Sequence, residues 1–448
     1  MRHLVLRLGM LGLLGSGVAL AQEAATIDTA TTSWMLVSTS YVFLMVVGLA
    51  FFYGGLVRRK NALNTMMMSF IALGIVAVTW ALLGYSLAYS GEGQFIGGLT
   101  YALMQNIGLE GDGIPLILDF AFQGTFAIIT AALISGAIVE RMRFSAYMLF
   151  ISLWSVLVYA PMAKWVWCDG FLETLGAIDF AGGTVVHINA GIAAVVLALL
   201  IGKRKDFGNK AMLPHQVPFT LLGAGLLWFG WFGFNGGSAY AADGIASLAM
   251  TNTLLAPAAA VVLWAVLDTL RTGQVTAVGV ATAVIIGLVA VTPGAGVVSP
   301  ISALLMGAIA TIPSYYLLLW RARSSLDDSL DVFAAHGMGG ISGALLTGLF
   351  VSTAWGGSVD GSLSQLGIQA AAVGIAVLFS AVGTFVLAQL VSLVVPLRAD
   401  EKLEAQGLDV TMHGEEAYTD GEGALLLPLT PKAGPQGVPA PQVAGGEA

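Results

Sequence analysis

Apolar stretches of about 20 residues, each long enough to cross a bilayer as a helix, recur along the chain with short polar breaks. They fall near residues 34–57, 62–90, 115–139, 144–163, 181–202, 216–237, 250–270, 275–292, 299–320, 332–351 and 367–396. Eleven such runs predict an all-α integral membrane protein with eleven transmembrane helices, occupying residues 22–397. After Pro396 the pattern stops. Residues 398–422 are charged and polar, and the end of the chain, 423–448, is rich in proline, glycine and alanine. That end cannot bury enough apolar surface to order itself and is expected to be a flexible tail.

The polar breaks are not equivalent. Arg58, Arg59 and Lys60 follow the first run, and Arg141 and Arg143 the third. Lys203, Arg204, Lys205 and Lys210 follow the fifth, Arg271 the seventh, and Arg321 and Arg323 the ninth. The alternate set of breaks holds a single basic residue, Lys164. Basic loops stay in the cytoplasm, so the N-terminus is expected outside and the tail inside a cell (inner) membrane. The first residues agree. Arg2, His3 and Arg7 precede a short apolar run ending Ala19-Leu20-Ala21, the layout of a cleaved signal peptide over residues 1–21.

Composition leaves the same class. Hydrophobic residues make up 57% of the 448 and charged residues only 10%, against roughly 25% charged in soluble domains. So few charges could not cover a water-soluble surface of this size. The 57 glycines suit membrane helices, whose backbones approach closely at small residues. Cys168 stands alone and permits no intramolecular disulfide. The net charge of −8 comes partly from acidic residues after position 399.

Eleven divides as five plus five plus one, an arrangement that would invert the second half on the first. A faint echo supports the division. Asp179 opens the fifth run with His187 eight residues on, and Asp331 opens the tenth with His336 five residues on. Both aspartates are read as caps of helix starts, Asp179 also placing negative charge near the outer mouth. An imidazole at membrane depth either bonds a backbone carbonyl or faces a water-filled path. Two at similar depth in equivalent halves favour a facing pair in a pore. Phe122 and Phe126, four apart, share one helix face. Trp167, Trp231, Phe232 and Phe234 are either interface and packing aromatics or parts of a cation–π cage.

Four segments carry a resemblance. DFAGGTVVHINAG (Asp179 to Gly191), FQGTF (Phe122 to Phe126), GWFGFNGGS (Gly230 to Ser238) and DVFAAHG (Asp331 to Gly337) resemble the Amt/Mep/Rh ammonium transporter family. The similarity runs from about Trp34 to Tyr418 and includes GLDVTMHGEEAY in the tail. It implies the ammonium transporter fold in a homotrimer, one pore per subunit. It also implies an outer substrate-binding site of Phe122, Trp167 and Ser238, a gate of Phe126 and Phe234, and a pore lined by His187 and His336. Asp179 matches the family's aspartate near the outer site. Trp167 with Ser238 points to the Amt branch. The resemblance further implies a regulatory role for residues 398–422, with a P-II signalling protein as partner at the cytoplasmic face. No cofactor, metal or nucleic acid is expected.

Chemistry favours this cargo. Ammonium resembles potassium in size and charge but has four directional donors and a removable proton. Aromatic faces and a hydroxyl acceptor reward the donors and the charge, and an apolar pore then penalises any ion that must stay charged. Ammonium can pass as ammonia after losing a proton, with neutral imidazoles offering one donor and one acceptor each. A sensor would share these motifs. The sequence given carries no appended kinase or output domain, and transport is the expectation. An intramembrane enzyme finds no nucleophile motif or metal-ligand spacing beside the histidines, and no catalytic residue is expected.

Overall fold

The computed structural model describes residues 26–418. The expected signal peptide and the Pro/Gly-rich end lie outside them. Among the described residues, eleven helices are long and apolar enough to cross a membrane: α1 Thr29–Leu56, α2 Arg59–Tyr89, α3 Leu116–Ala137, α4 Phe144–Leu175, α5 Gly183–Ile201, α6 Val217–Gly237, α7 Gly244–Thr272, α8 Ala277–Gly294, α9 Pro300–Arg321, α10 Phe333–Phe350 and α11 Leu363–Val394. Two short helices follow, α12 Glu401–Gln406 and α13 Leu408–His413. Among the described residues there is no β-strand, only isolated bridges such as Val298 to Val351. The expected fourth run ended near residue 163, but α4 continues through Trp167, and a further turn, Phe171–Leu175, follows a break at Cys168–Gly170.

Burial sorts the helices. In α3, α5 and α8, 78% of the apolar window is buried, against 28% in α2 and 33% in α7 and α11. The first three form the centre, while the others turn apolar side chains outward, as lipid contact requires. Close approach between helices depends on glycine. A Cβ on Gly307 would lie 2.0 Å from the carbonyl oxygen of Ala256, and one on Gly287 2.4 Å from the Cα of Pro257, so α7, with Pro257 inside it, packs backbone to backbone on α8 and α9.

The two halves are inverted repeats, and the match is visible residue by residue. α5 and α10 both begin with a π-helical turn, Gly183–Ile188 and Phe333–Met338, each holding one histidine. Both turns are capped by a carboxylate eight residues before the histidine. Asp179 accepts the N–H groups of Gly182, Gly183, Thr184 and Val185 at 2.6–3.1 Å. Its counterpart is Asp328, which accepts from Val332 at 3.1 Å and Phe333 at 2.7 Å. The expectation that Asp331 caps α10 is therefore corrected. Asp331 sits at φ +59°, and its carboxylate is engaged by Arg321 at 2.6 and 2.9 Å.

The crossing of α5 and α10 is reciprocal. A Cβ on Gly191 would meet the Gly337 nitrogen at 2.3 Å, and one on Gly340 the Ile188 nitrogen at 3.1 Å. Gly191 and Gly340, like Ile188 and Gly337, are separated by the same 149 residues as the two histidines. Residue i touching j while the partner of j touches the partner of i is the mark of a two-fold axis.

The basic breaks meet at one end of the bundle. Glu140 accepts from Arg58 and, at 2.9 Å, from Arg204, which also holds Asp327 at 2.8 Å. Burial pushes the Glu140 carboxyl up, but Arg204 and Arg58 together hold it below its ordinary range. The tail segment docks on this end. Asp409 accepts the N–H groups of Leu63 and Asn64, Glu404 accepts that of Lys205, and the Asn61 side chain accepts from Leu408.

Candidate functional site

The π-helical turns widen the start of α5 and α10 and aim two imidazoles at each other. His187 and His336 are 1% and 4% exposed, and their Nδ1 atoms lie 3.2 Å apart. One of these nitrogens must donate and the other accept. The pair therefore holds two different tautomers, and its far edges present one N–H and one lone pair. Nε2 of His187 is buried without a hydrogen-bond partner among the described residues. Trp231 stacks on the His187 ring at 5.2 Å and 22°, anchored by its indole N–H on Thr292 Oγ1 at 2.9 Å. Around them Leu227, Ile129, Leu133 and Ile285 close an apolar cavity of about 10 Å³, room for about one water-sized molecule.

Toward the end opposite the basic loops, the file continues through aromatics. Phe234 lies 5.9 Å from the His187 ring and stacks on Phe126 at 4.1 Å and 18°. Both phenylalanines are buried. Phe122, one turn further along α3, contacts Phe126 at 4.9 Å. Trp167 meets Phe126 edge-on at 6.1 Å, and its indole N–H donates to the Asp179 carbonyl at 2.8 Å. Ser238, at the end of α6, donates its hydroxyl hydrogen to the Phe234 carbonyl at 2.8 Å. Its oxygen lone pairs are left to accept from elsewhere.

The residues singled out in the sequence thus form one file from Phe122 to His336, with Trp167 and Ser238 beside its mouth and Asp179 at the start of α5. Sequence reasoning left Trp231 as either a packing or a cage aromatic, without placing it on His187, and missed Asp328. The signal for Asp328 existed: it stands eight residues before His336, as Asp179 does before His187. Asp119 and Tyr240, hydrogen-bonded at 2.6 Å behind Phe122, gave no pattern that a single sequence could flag. Among the described residues, no three His, Cys, Asp or Glu side chains group as a metal site would need.

Inverted halves with a buried site between them define a membrane transporter fold. The model of the Ammonium Transporter Family matches residues 33–418. An ammonium transporter of Aquifex aeolicus is 48% identical over 423 residues, covering 92% of this chain and 99% of that protein. Among solved structures, Saccharomyces cerevisiae Mep2 superposes with a TM-score of 0.78 at 34% identity, covering 84% of this chain and 88% of that one. A structure titled Sensor Amt Protein superposes with a TM-score of 0.82 at 29% identity, covering 86% and 98%. The chain belongs to the ammonium transporter family.

Proposed function

We propose that the chain carries ammonium nitrogen across a membrane, capturing the cation at Phe122, Trp167 and Ser238 and passing it, after loss of a proton, as ammonia between His187 and His336. The carrying observation is the unbroken file from stacked aromatics to paired imidazoles. Aromatic faces attract a desolvated cation by about 2 kcal/mol or more, and the Ser238 lone pairs accept one N–H. Beyond the Phe126–Phe234 gate the walls are apolar, and a charge held there would cost far more than ammonia. The unpartnered Nε2 of His187 is a natural partner for a small hydrogen-bonding cargo. Asp179 serves the same reading twice, capping α5 and fixing Trp167 through its carbonyl.

The basic loops favour a cytoplasmic placement of the end that holds the tail, in a cell inner membrane, with the signal peptide removed on the far side. Family resemblance supports a homotrimer and a P-II signalling protein acting at the face where residues 398–418 dock. The ammonium transport reading requires no cofactor.

Reconstituted vesicles exposed to ammonium, methylammonium and potassium gradients test this. His187→Ala combined with His336→Ala should lower ammonium-driven transport at least tenfold; unchanged transport would falsify the pore assignment. Ser238→Ala or Trp167→Leu should raise the half-saturating ammonium concentration roughly five- to thirtyfold, equivalent to about 1–2 kcal/mol, with potassium still excluded. If half-saturation holds, the outer site lies elsewhere. A current measured on the same vesicles reports whether charge accompanies the nitrogen.

A further inference from the structure

Behind the outer aromatics lies a hydrogen-bonded knot. The Asp119 carboxylate, on the first turn of α3, accepts from the Tyr240 hydroxyl through one oxygen and the Tyr85 hydroxyl through the other, each at 2.6 Å. The Tyr240 oxygen also accepts from Gln123 Nε2 at 2.6 Å. The Tyr240 ring meets Phe122 edge-on at 5.6 Å and 86°. Its backbone is left-handed, φ +53°, a conformation that disfavours a bulky side chain unless its surroundings hold it. Tyr240 closes the turn that contains Ser238, its N–H donating to the Gly237 carbonyl at 2.9 Å. Three segments, the end of α2, the start of α3 and the α6–α7 turn, are thereby tied to one carboxylate.

We propose that Asp119 is a positioning residue of the outer site, acting through Tyr240 to set Phe122 and Ser238 for a monovalent ammonium-class cation. This rests on the outer-site reading given above. The two walls that would touch the cation come from different elements, α3 with Phe122 and the α6–α7 turn with Ser238. Nothing in the covalent chain fixes their separation. The Tyr240 hydroxyl does, because it bonds Asp119 and Gln123 of α3 from a residue two positions beyond Ser238.

The test is ammonium uptake by vesicles holding the full chain, with Tyr240→Phe, Asp119→Asn and the two combined. Tyr240→Phe keeps the ring against Phe122 and deletes only the hydroxyl, with its bonds to Asp119 and Gln123. Each single change should raise the half-saturating ammonium concentration threefold or more, leaving the maximal rate within twofold. The combined variant should be little worse than the worse single one, since both break one link. A Tyr240→Phe protein with unchanged half-saturation, or with only its maximal rate reduced, overturns the proposal even if Asp119→Asn fails to reach the membrane. Phe122→Ala separates the two levels. If it weakens half-saturation while Tyr240→Phe does not, the positioning inference alone fails; if Phe122→Ala has no effect either, the outer-site reading fails with it.

Discussion

The 3.2 Å between two Nδ1 atoms holds the chemistry of the proposed pore at the smallest scale, because it forces unlike tautomers on like residues. The histidines could be found in the sequence as ionisable groups inside apolar runs, and the phenylalanines through one-face spacing and family motifs. What could not be read was the space between them, which is set by residues with no side chain at all. Gly191 and Gly340 carry the α5–α10 crossing, and a methyl group on Gly191 would stand 2.3 Å from a backbone nitrogen that cannot swing aside. Gly191→Ala must push the two helices apart and with them the imidazoles. Overpacking of this kind costs about 1–3 kcal/mol. A lower unfolding midpoint in detergent and at least tenfold slower ammonium uptake are the expected results. Gly74, with nothing within 4 Å of its added Cβ, is the control, and Gly74→Ala should leave both readings in place. Equal behaviour of the two variants would remove the crossing from the account.

Among the elements, the eleven helices were legible because hydropathy and loop charge report them directly. Their starts were less so. Three aspartates, Asp327, Asp328 and Asp331, crowd the approach to α10, and proximity to the helix pointed to Asp331. The structure divides their work by geometry. Asp327 binds Arg204, Asp331 binds Arg321, and Asp328 alone accepts the first N–H groups of α10. Only the eight-residue register shared with Asp179 and His187 distinguished Asp328 beforehand. If capping is its task, the side-chain oxygen matters more than the charge. Asp328→Ala should then destabilise the protein by about 0.5–2 kcal/mol, and Asp328→Asn should recover part of that, since its one amide oxygen can accept one of the two N–H groups that the carboxylate oxygens hold. Thermal unfolding of the purified variants reads the difference. Equal losses for Ala and Asn would mean the charge, set against Arg321 and Arg141, is what matters there.

The whole molecule has two unlike ends, and that asymmetry makes the orientation testable. At one end Arg58, Glu140, Arg204 and Asp327 interlock, and residues 398–413 fold over them, with Lys60 donating to the carbonyls of Glu404 and Ala405. At the other end Lys164 is buried against the Gly91 carbonyl, and Asp28 bonds backbone to backbone with Gly113. The two-fold relation between halves cannot choose a side, because it maps either half onto an inverted copy of the other. Loop charge offers the choice that the proposed orientation adopts, with the end that holds the arginines and lysines kept on the side where the chain is made. A Cys168→Ser background with single cysteines tests this. Lys210→Cys replaces a side chain 75% exposed at the basic end, and Ser358→Cys lies exposed between α10 and α11. In intact cells stripped of any outer envelope, a membrane-impermeant maleimide should label the residue at 358 and reach 210 only after permeabilisation. The reverse pattern would place the tail outside and invert the direction in which the outer aromatics meet the cation. It would also remove any cytoplasmic partner from the docked tail, so one labelling experiment decides the side of capture and the side of regulation together.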